Sequence, residues 1–188
     1  AGGARNVSAI LALAAATTRN EASQVNDLGE AATTFGTFAL NSANVAATDA
    51  SATDVGVSTV SGTFDITAGG AVTDSGTLAI TGATTISASG QDITLDEAAS
   101  TFGTLALTGA NVAVTDAGAT DLGASTVSGT LGITSAGAVT DSGTLAITGA
   151  TTISASGQDI TLDEAASTFG TLALIGANVA VTDAGATD

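Results

Sequence analysis

The chain has 188 residues, of which 18 are acidic and two are basic, and it contains no His, Cys or Pro. Nucleic acids and anionic membranes are bound through basic surfaces, so we expect neither as a partner, and no apolar run is long enough for a membrane span. Without His or Cys, a His-dependent catalytic triad, a disulfide framework and a thiolate metal site are excluded.

The chain is built from repeated units. Residues 71–107 recur unchanged at 138–174, which divides the chain into units 1–67, 68–134 and an incomplete 135–188. Such faithful copying predicts a single continuous solenoid over residues 1–188. The second and third units differ at only three pairs of positions: Ala68/Ser135, Gly69/Ala136 and Thr108/Ile175.

In chain order, the first segment with a clear pattern is the apolar run 9–16, which follows Arg5. A short apolar stretch after a basic residue is typical of a signal peptide. The same run also lies in register with residues 76–83 of the second unit, where the pattern predicts a strand. We therefore interpret residues 9–16 as a strand of the repeat.

Apolar residues alternate with small polar ones throughout the later units, and this period of two predicts nine or ten short strands per unit. Gly, Ser, Asp and Asn separate the alternating segments and predict turns. Residues 163–167 (DEAAS) are too short for an independent helix, so we expect a turn or one helical corner there. The clearest strands are 105–107, 112–114, 131–133, 145–147 and 160–162.

The connections favour an all-β, parallel β-solenoid. Antiparallel hairpins need two-residue turns such as Asn-Gly, and these are missing. In a solenoid each strand pairs with its equivalent one coil later, so inward apolar residues stack into ladders. Two coil sizes fit the spacing: a three-sided coil of about 22 residues, which we favour because it encloses more core, and a two-sided coil of about 13.

The boxes GTLAL (103–107), GTLGI (129–133) and GTLAI (143–147), joined by Ser, Thr, Gly and Asn turns, resemble a known class of repeats. They are similar to the repeat regions of filamentous-haemagglutinin-like and autotransporter-type bacterial adhesins and to giant β-strand-repeat surface proteins. The resemblance implies a right-handed parallel β-helix, an extracellular location on the bacterial surface, and a stalk or adhesive fibre. The chain departs from that class in its long repeat unit and near-identical copies, and it has no recognisable secretion domain.

The acidic residues are the only candidates for a chemical site, and Ca²⁺ is the only cofactor that they suggest. Calcium takes six to eight oxygen ligands, which carboxylates at turns can supply. No DxDxDG loop is present, and acidic residues at corners also serve solubility. The weak Ca²⁺ candidates are Asp92, Asp96, Glu97, Asp116, Asp121, Asp159, Asp163 and Glu164.

We expect no enzyme, because a glycosidase needs two carboxylates across a cleft, and the sugar-stacking aromatic residues of such clefts are missing. A β-helix polysaccharide-active enzyme is the remote alternative. The leading expectation is an extracellular structural segment, with a glycan- or Ca²⁺-binding adhesive module as the alternative. Expected partners are further copies of the repeat, stacked end to end, and glycans or cell surfaces. We predict that Asn44, Asn111 and Asn178 are corner residues whose amides bond one another.

Overall fold

The computed structural model describes residues 5–6, 17–28 and 34–185. All regular structure in these ranges is β-strand, and the strands form one parallel sheet that winds into stacked turns. The prediction of an all-β parallel solenoid is therefore confirmed. The run 9–16, predicted as a repeat strand, lies outside the described residues.

The described residues form twenty-one strands, and nine of these begin within the second unit, in agreement with the predicted number. They are β1 (Arg5–Asn6), β2 (Thr17–Leu28), β3 (Thr37–Asp49), β4 (Thr53–Val55), β5 (Ser58–Val60), β6 (Phe64–Ala68), β7 (Val72–Asp74), β8 (Leu78–Ile80), β9 (Thr84–Ser87), β10 (Ile93–Leu95), β11 (Thr104–Gly109), β12 (Val112–Asp116), β13 (Thr120–Leu122), β14 (Ser125–Val127), β15 (Leu131–Ser135), β16 (Val139–Asp141), β17 (Leu145–Ile147), β18 (Ala150–Ser154), β19 (Ile160–Leu162), β20 (Thr171–Ile175) and β21 (Val179–Val181).

The solenoid has about eight turns of about 19 residues each. This turn length lies between the two predicted coil sizes. Four turns contain three strands each: β4 to β6, β7 to β9, β13 to β15 and β16 to β18. Two of the three strands lie on the same side, as β13 and β14 do beside β11, so the three-sided cross-section that we favoured is not the observed one. The turns are shorter than the larger predicted coil because many of these strands contain only three residues.

The strand pairings define two sides of the solenoid. One side, side A, contains β6, β9 and β11, and the other, side B, contains β4, β7, β10, β12 and β15. In the turns before β11, side A contains one strand per turn, such as β9, whereas side B contains two short strands per turn, such as β7 and β8. The arrangement reverses at β11, which pairs along its length with β9 but with both β13 and β14 in the next turn.

This reversal follows from the length of the repeat. One complete unit, such as 68–134, makes about three and a half turns of about 19 residues. Equivalent residues of consecutive units therefore lie on opposite sides, as Phe64 of β6 does relative to Leu131 of β15. At about 4.8 Å between neighbouring strands, one unit advances the axis by about 17 Å.

Inward side chains form one continuous apolar core. On side A, one inward column runs through Val45, Phe64, Thr84, Leu105 and Leu122 in consecutive turns. All five side chains are buried. The outward residues that alternate with the inward ones along these strands are mostly Thr, Ser, Ala and Gly. Each fully buried Leu, Ile or Phe stabilises the fold by roughly 1.5–3 kcal/mol relative to an exposed one, so the core ladder is the main source of stability.

Two local features make the tight bends possible. A Cβ on Gly149 would lie 2.4 Å from the carbonyl oxygen of Gly129 in the preceding turn, so only glycine fits at this bend. The segment 163–167 forms a turn, closed by a hydrogen bond from the Ser167 N–H to the Glu164 carbonyl at 3.0 Å. The turn interpretation of DEAAS is therefore confirmed, and no helix occurs in the described ranges.

Candidate functional site in the polar corners

The corner asparagines connect consecutive turns. Asn111 donates from its backbone N and from Nδ2 to Asp92 Oδ1, at 3.1 and 2.9 Å. Its Oδ1 accepts hydrogen bonds from the backbone N and Oγ1 of Thr130, at 3.1 and 3.2 Å. Asn178 binds Asp159 in the same way. The prediction that these asparagines bond one another is wrong, because the partners of Asn111 lie one turn away along the chain instead of one unit.

Asp121 is surrounded by hydroxyl donors from neighbouring turns. Its Oδ2 accepts hydrogen bonds from Thr104 Oγ1 and Ser142 Oγ, both at 2.8 Å, and its Oδ1 accepts one from Thr140 Oγ1 at 3.4 Å. Asp54 has the equivalent partners in the first unit. The carboxylate therefore links three consecutive turns and is already supplied with donors.

The DEAAS turns close over buried aspartates that come from the preceding turn. Asp74 Oδ1 accepts the N–H of Asp96 at 2.9 Å. Burial raises the pKa of Asp74, the N–H groups of Asp96 and Glu97 oppose this, and the charges of the same two residues raise it further. Asp74 Oδ2 is buried, and no donor lies within hydrogen-bonding distance of it.

The same corner recurs one unit later. Asp141 accepts the N–H of Asp163 at 2.8 Å and, through Oδ2, the N–H of Glu164 at 3.4 Å. In both units the carboxylate holds the first residues of the turn by their backbone. The side chains of the Asp-Glu pair take no part in these hydrogen bonds.

Asp116 is the most deeply buried of the predicted calcium candidates, with 1% of its surface exposed. Its Oδ1 accepts the N–H of Gly118 at 2.8 Å, and its Oδ2 accepts Thr120 Oγ1 at 3.1 Å. Burial raises the pKa of Asp116, and hydrogen bonds from Gly118, Thr120 and the Phe102 backbone oppose that rise. This side chain points into the corner, whereas most of the other candidates lie on the outer surface.

The structure does not bring the predicted acidic residues together. Within the described ranges, no group of three or more His, Cys, Asp or Glu side chains is placed to hold a metal ion. Thr120 and Ser135, whose hydroxyls lie beside Asp116, were not among the residues predicted from the sequence. The signal was present, because Ser135 is one of the three differences between the second and third units.

A surface hollow of about 270 Å³ lies near the start of the continuously described part, beside Phe35, Thr37 and Asp54. Asp54 contributes the only charge among its lining residues, and its oxygens already accept hydroxyl hydrogen bonds. The hollow therefore does not place two carboxylates across a cleft, which acid–base hydrolysis of a glycoside requires.

Two consecutive segments, residues 42–108 and 109–176, match the family described as repeats of unknown function (DUF5649). The chain belongs to this family. The two matched DUF5649 repeats are offset by the same number of positions as the identical stretches 71–107 and 138–174. No curated protein and no solved structure matches the chain significantly. Among the described residues, no helix is long and apolar enough to cross a membrane.

Proposed function

We propose that this DUF5649 array is an extracellular structural segment, forming the stalk, fibre or shaft of a secreted bacterial adhesin or surface filament. The observation that carries the proposal is the repeated architecture: the short strands, bends and corners of the second unit recur in the third, and one apolar core runs from Phe38 to Phe169. An enzyme or a specific receptor needs a site that differs from its surroundings, whereas a shaft needs none. The resemblance to adhesin repeats agrees with this role.

The polar corners suit a mechanical role. Asp121 and Asn111 each connect side chains or backbone groups of neighbouring turns. Together with the backbone ladders and the apolar core, these corner bonds resist both bending and separation of the turns. Each hydrogen bond contributes only about 1 kcal/mol, so stiffness comes from their repetition along the axis.

The partners that we propose are further copies of the repeat, stacked end to end. Each turn of the solenoid pairs with the preceding one through parallel backbone hydrogen bonds, as β20 does with β18 and β21 with β19, and a turn of one copy can pair in the same way with a turn of another. Light scattering at increasing protein concentration tests this part of the proposal. Growth of particle mass with concentration supports stacking, and a constant monomer mass rejects it.

The location and role are tested in the source cells by immunogold electron microscopy with antibodies against residues 68–134. One strain carries the natural array and another carries extra copies of this unit. We expect gold particles outside the cell, at a distance that grows with the number of units. Intracellular labelling, or a distance independent of unit number, contradicts the proposal.

A further inference from the structure

The corner around Asp116 gathers five oxygen-bearing groups from two neighbouring turns. Three are side-chain groups, the Asp116 carboxylate and the hydroxyls of Thr120 and Ser135, which are 1%, 1% and 6% exposed. Two are the main-chain carbonyls of Gly118 and Gly137, which lie 3.1 and 3.0 Å from Ser135 Oγ. Thr120 Oγ1 lies 3.0 Å from Ser135 Oγ and 3.1 Å from Asp116 Oδ2.

The hydroxyl groups of this corner have fewer protons than there are close oxygen–oxygen pairs. Four oxygen–oxygen pairs lie within 3.0–3.1 Å, yet the two hydroxyls of Thr120 and Ser135 carry one proton each. While Asp116 is ionised, at most two of the four pairs can be two-centre hydrogen bonds at one time. The other two either share one of these protons or have none.

The charge of the corner is also uncompensated. The chain has no Lys or His, and its two Arg residues, Arg5 and Arg19, belong to strands several turns earlier. The Asp116 carboxylate therefore lies in the protein interior with hydrogen-bond donors but without a cationic side chain from the described residues. A buried carboxylate of this kind is stabilised by a proton or by a cation.

We propose that the Asp116 corner binds a hard cation of the calcium class, through Asp116, Thr120, Ser135 and the carbonyls of Gly118 and Gly137. An all-oxygen set of one carboxylate, hydroxyls and carbonyls suits Ca²⁺ better than Mg²⁺, which demands near-ideal octahedral geometry and retains several waters. A single carboxylate implies weak binding, with a Kd on the order of 10⁻⁴–10⁻³ M. The site is independent of the shaft proposal.

The first unit contains a natural control. At the corner of Asp49, Ala68 replaces Ser135 and Ser51 replaces Gly118. There the carboxylate accepts hydrogen bonds directly from Ser51 N and Oγ and from Thr53 Oγ1. No hydroxyl occupies the place of Ser135, so this corner lacks the surplus of close oxygens, and we expect it to bind no cation.

The test is isothermal titration calorimetry of the chelator-treated full chain with CaCl₂, and with MgCl₂ and NaCl in separate experiments. We expect one Ca²⁺ per chain, with Mg²⁺ at least tenfold weaker. Ser135→Ala, which restores the first-unit residue, should weaken Ca²⁺ binding at least tenfold while leaving the circular dichroism spectrum unchanged. The double variant Ser51→Gly, Ala68→Ser should bind two ions per chain.

Absence of binding up to ~10 mM Ca²⁺ overturns the proposal, because that concentration exceeds the expected Kd tenfold or more. A Ca²⁺ affinity that is unchanged in the Ser135→Ala variant also overturns the proposal, because the ions then bind to the carboxylates on the outer surface. If Ser135→Ala does not fold, the stoichiometry of the double variant decides: two ions support the site and one ion or none rejects it.

Discussion

Asn111 donates a hydrogen bond from Nδ2 to Asp92 Oδ1 at 2.9 Å, whereas Asn44, one unit earlier, has Val25 as its backbone partner in the preceding turn. The two asparagines otherwise bond equivalent threonines, Thr63 and Thr130. The two asparagines therefore form a matched pair. Asn111 has Asp92 beside it in the preceding turn, whereas Asn44 has Val25 at the equivalent position.

The first prediction uses this pair. Asn111→Asp removes the amide donor and places a second carboxylate beside Asp92, so we expect a loss of about 1–2 kcal/mol at neutral pH. Asn44→Asp keeps the acceptor for Thr63 and has Val25 in the place of Asp92, so its effect should be within about 0.5 kcal/mol. Urea denaturation of both variants checks this, and equal destabilisation contradicts the role given to Asp92.

The second prediction concerns buried hydroxyls without partners. Thr84 Oγ1 and Thr151 Oγ1 are buried among apolar side chains and make no hydrogen bond. Replacement of either Thr by Val removes the desolvation cost at constant shape, so stability should rise by about 1 kcal/mol per site. Thr120→Val is the control, because its hydroxyl is bonded and its loss should destabilise. The denaturation midpoints of the three variants rank these effects, and a lower midpoint for Thr84→Val would count against the assignment.

The third prediction separates two glycines by their surroundings. A Cβ on Gly149 meets backbone atoms of Gly129 at 2.4 Å, whereas a Cβ on Gly132 has its nearest neighbour at 3.8 Å. Gly149→Ala must therefore displace the bend and should lower the melting temperature by several degrees. Gly132→Ala should leave it unchanged or raise it slightly, because Ala reduces the entropy of the unfolded chain. Thermal melting followed by circular dichroism measures both, and similar melting temperatures would disprove the close packing at the bend.

The fourth prediction is a dependence of stability on pH. Asp74 and Asp116 have pKa values raised above 3.8 in the folded protein, so the folded state holds these protons more tightly than the unfolded state does. Their contribution to stability is present below pH 3.8 and is lost as the pH rises through the raised pKa values.

Asp74→Asn keeps the acceptor for the Asp96 N–H and removes one of these two titrations, so the decrease in stability with pH should become smaller. Asp65→Asn, at an exposed position, makes the same change in net charge and serves as the control. Urea denaturation between pH 3 and 7 gives the slopes. The same slope for both variants would mean that overall charge, not burial of Asp74, sets the pH dependence.

The sequence was sufficient for the parts of the fold that depend on local pattern. The alternation around Leu105 and Leu107 predicts a strand with its apolar face inward, and missing hairpin turns predict parallel pairing. The partner of Asn111 could not be predicted, because it depends on a register between turns that varies along the chain. The near-identical copies suggested Asn44 and Asn178 as the neighbours of Asn111, but about three and a half turns per unit place Asn111 on the opposite side from both.

The composition of the Asp116 corner could not be predicted from the sequence for the same reason. Asp116 and Ser135 are one whole turn apart along the chain, and only the turn length brings Ser135 close to Thr120 and Gly118. Acidic residues were chosen as the candidate calcium ligands because they are charged. In the Asp116 corner, however, hydroxyl and carbonyl groups supply most of the oxygens. Carboxylate spacing in the sequence therefore indicates Asp116 alone, and the other four oxygen-bearing residues of the corner have no such signal.

Each complete unit adds about three and a half turns to the solenoid, and we predict that the added turns extend a straight rod. Small-angle X-ray scattering of chains with zero, two and four extra copies of residues 68–134, inserted after residue 134, measures this extension. We predict that the maximum dimension grows by about 17 Å per unit while the radius of gyration of the cross-section stays constant. A cross-section that grows with unit number, or an increment far from the predicted one, would contradict the account.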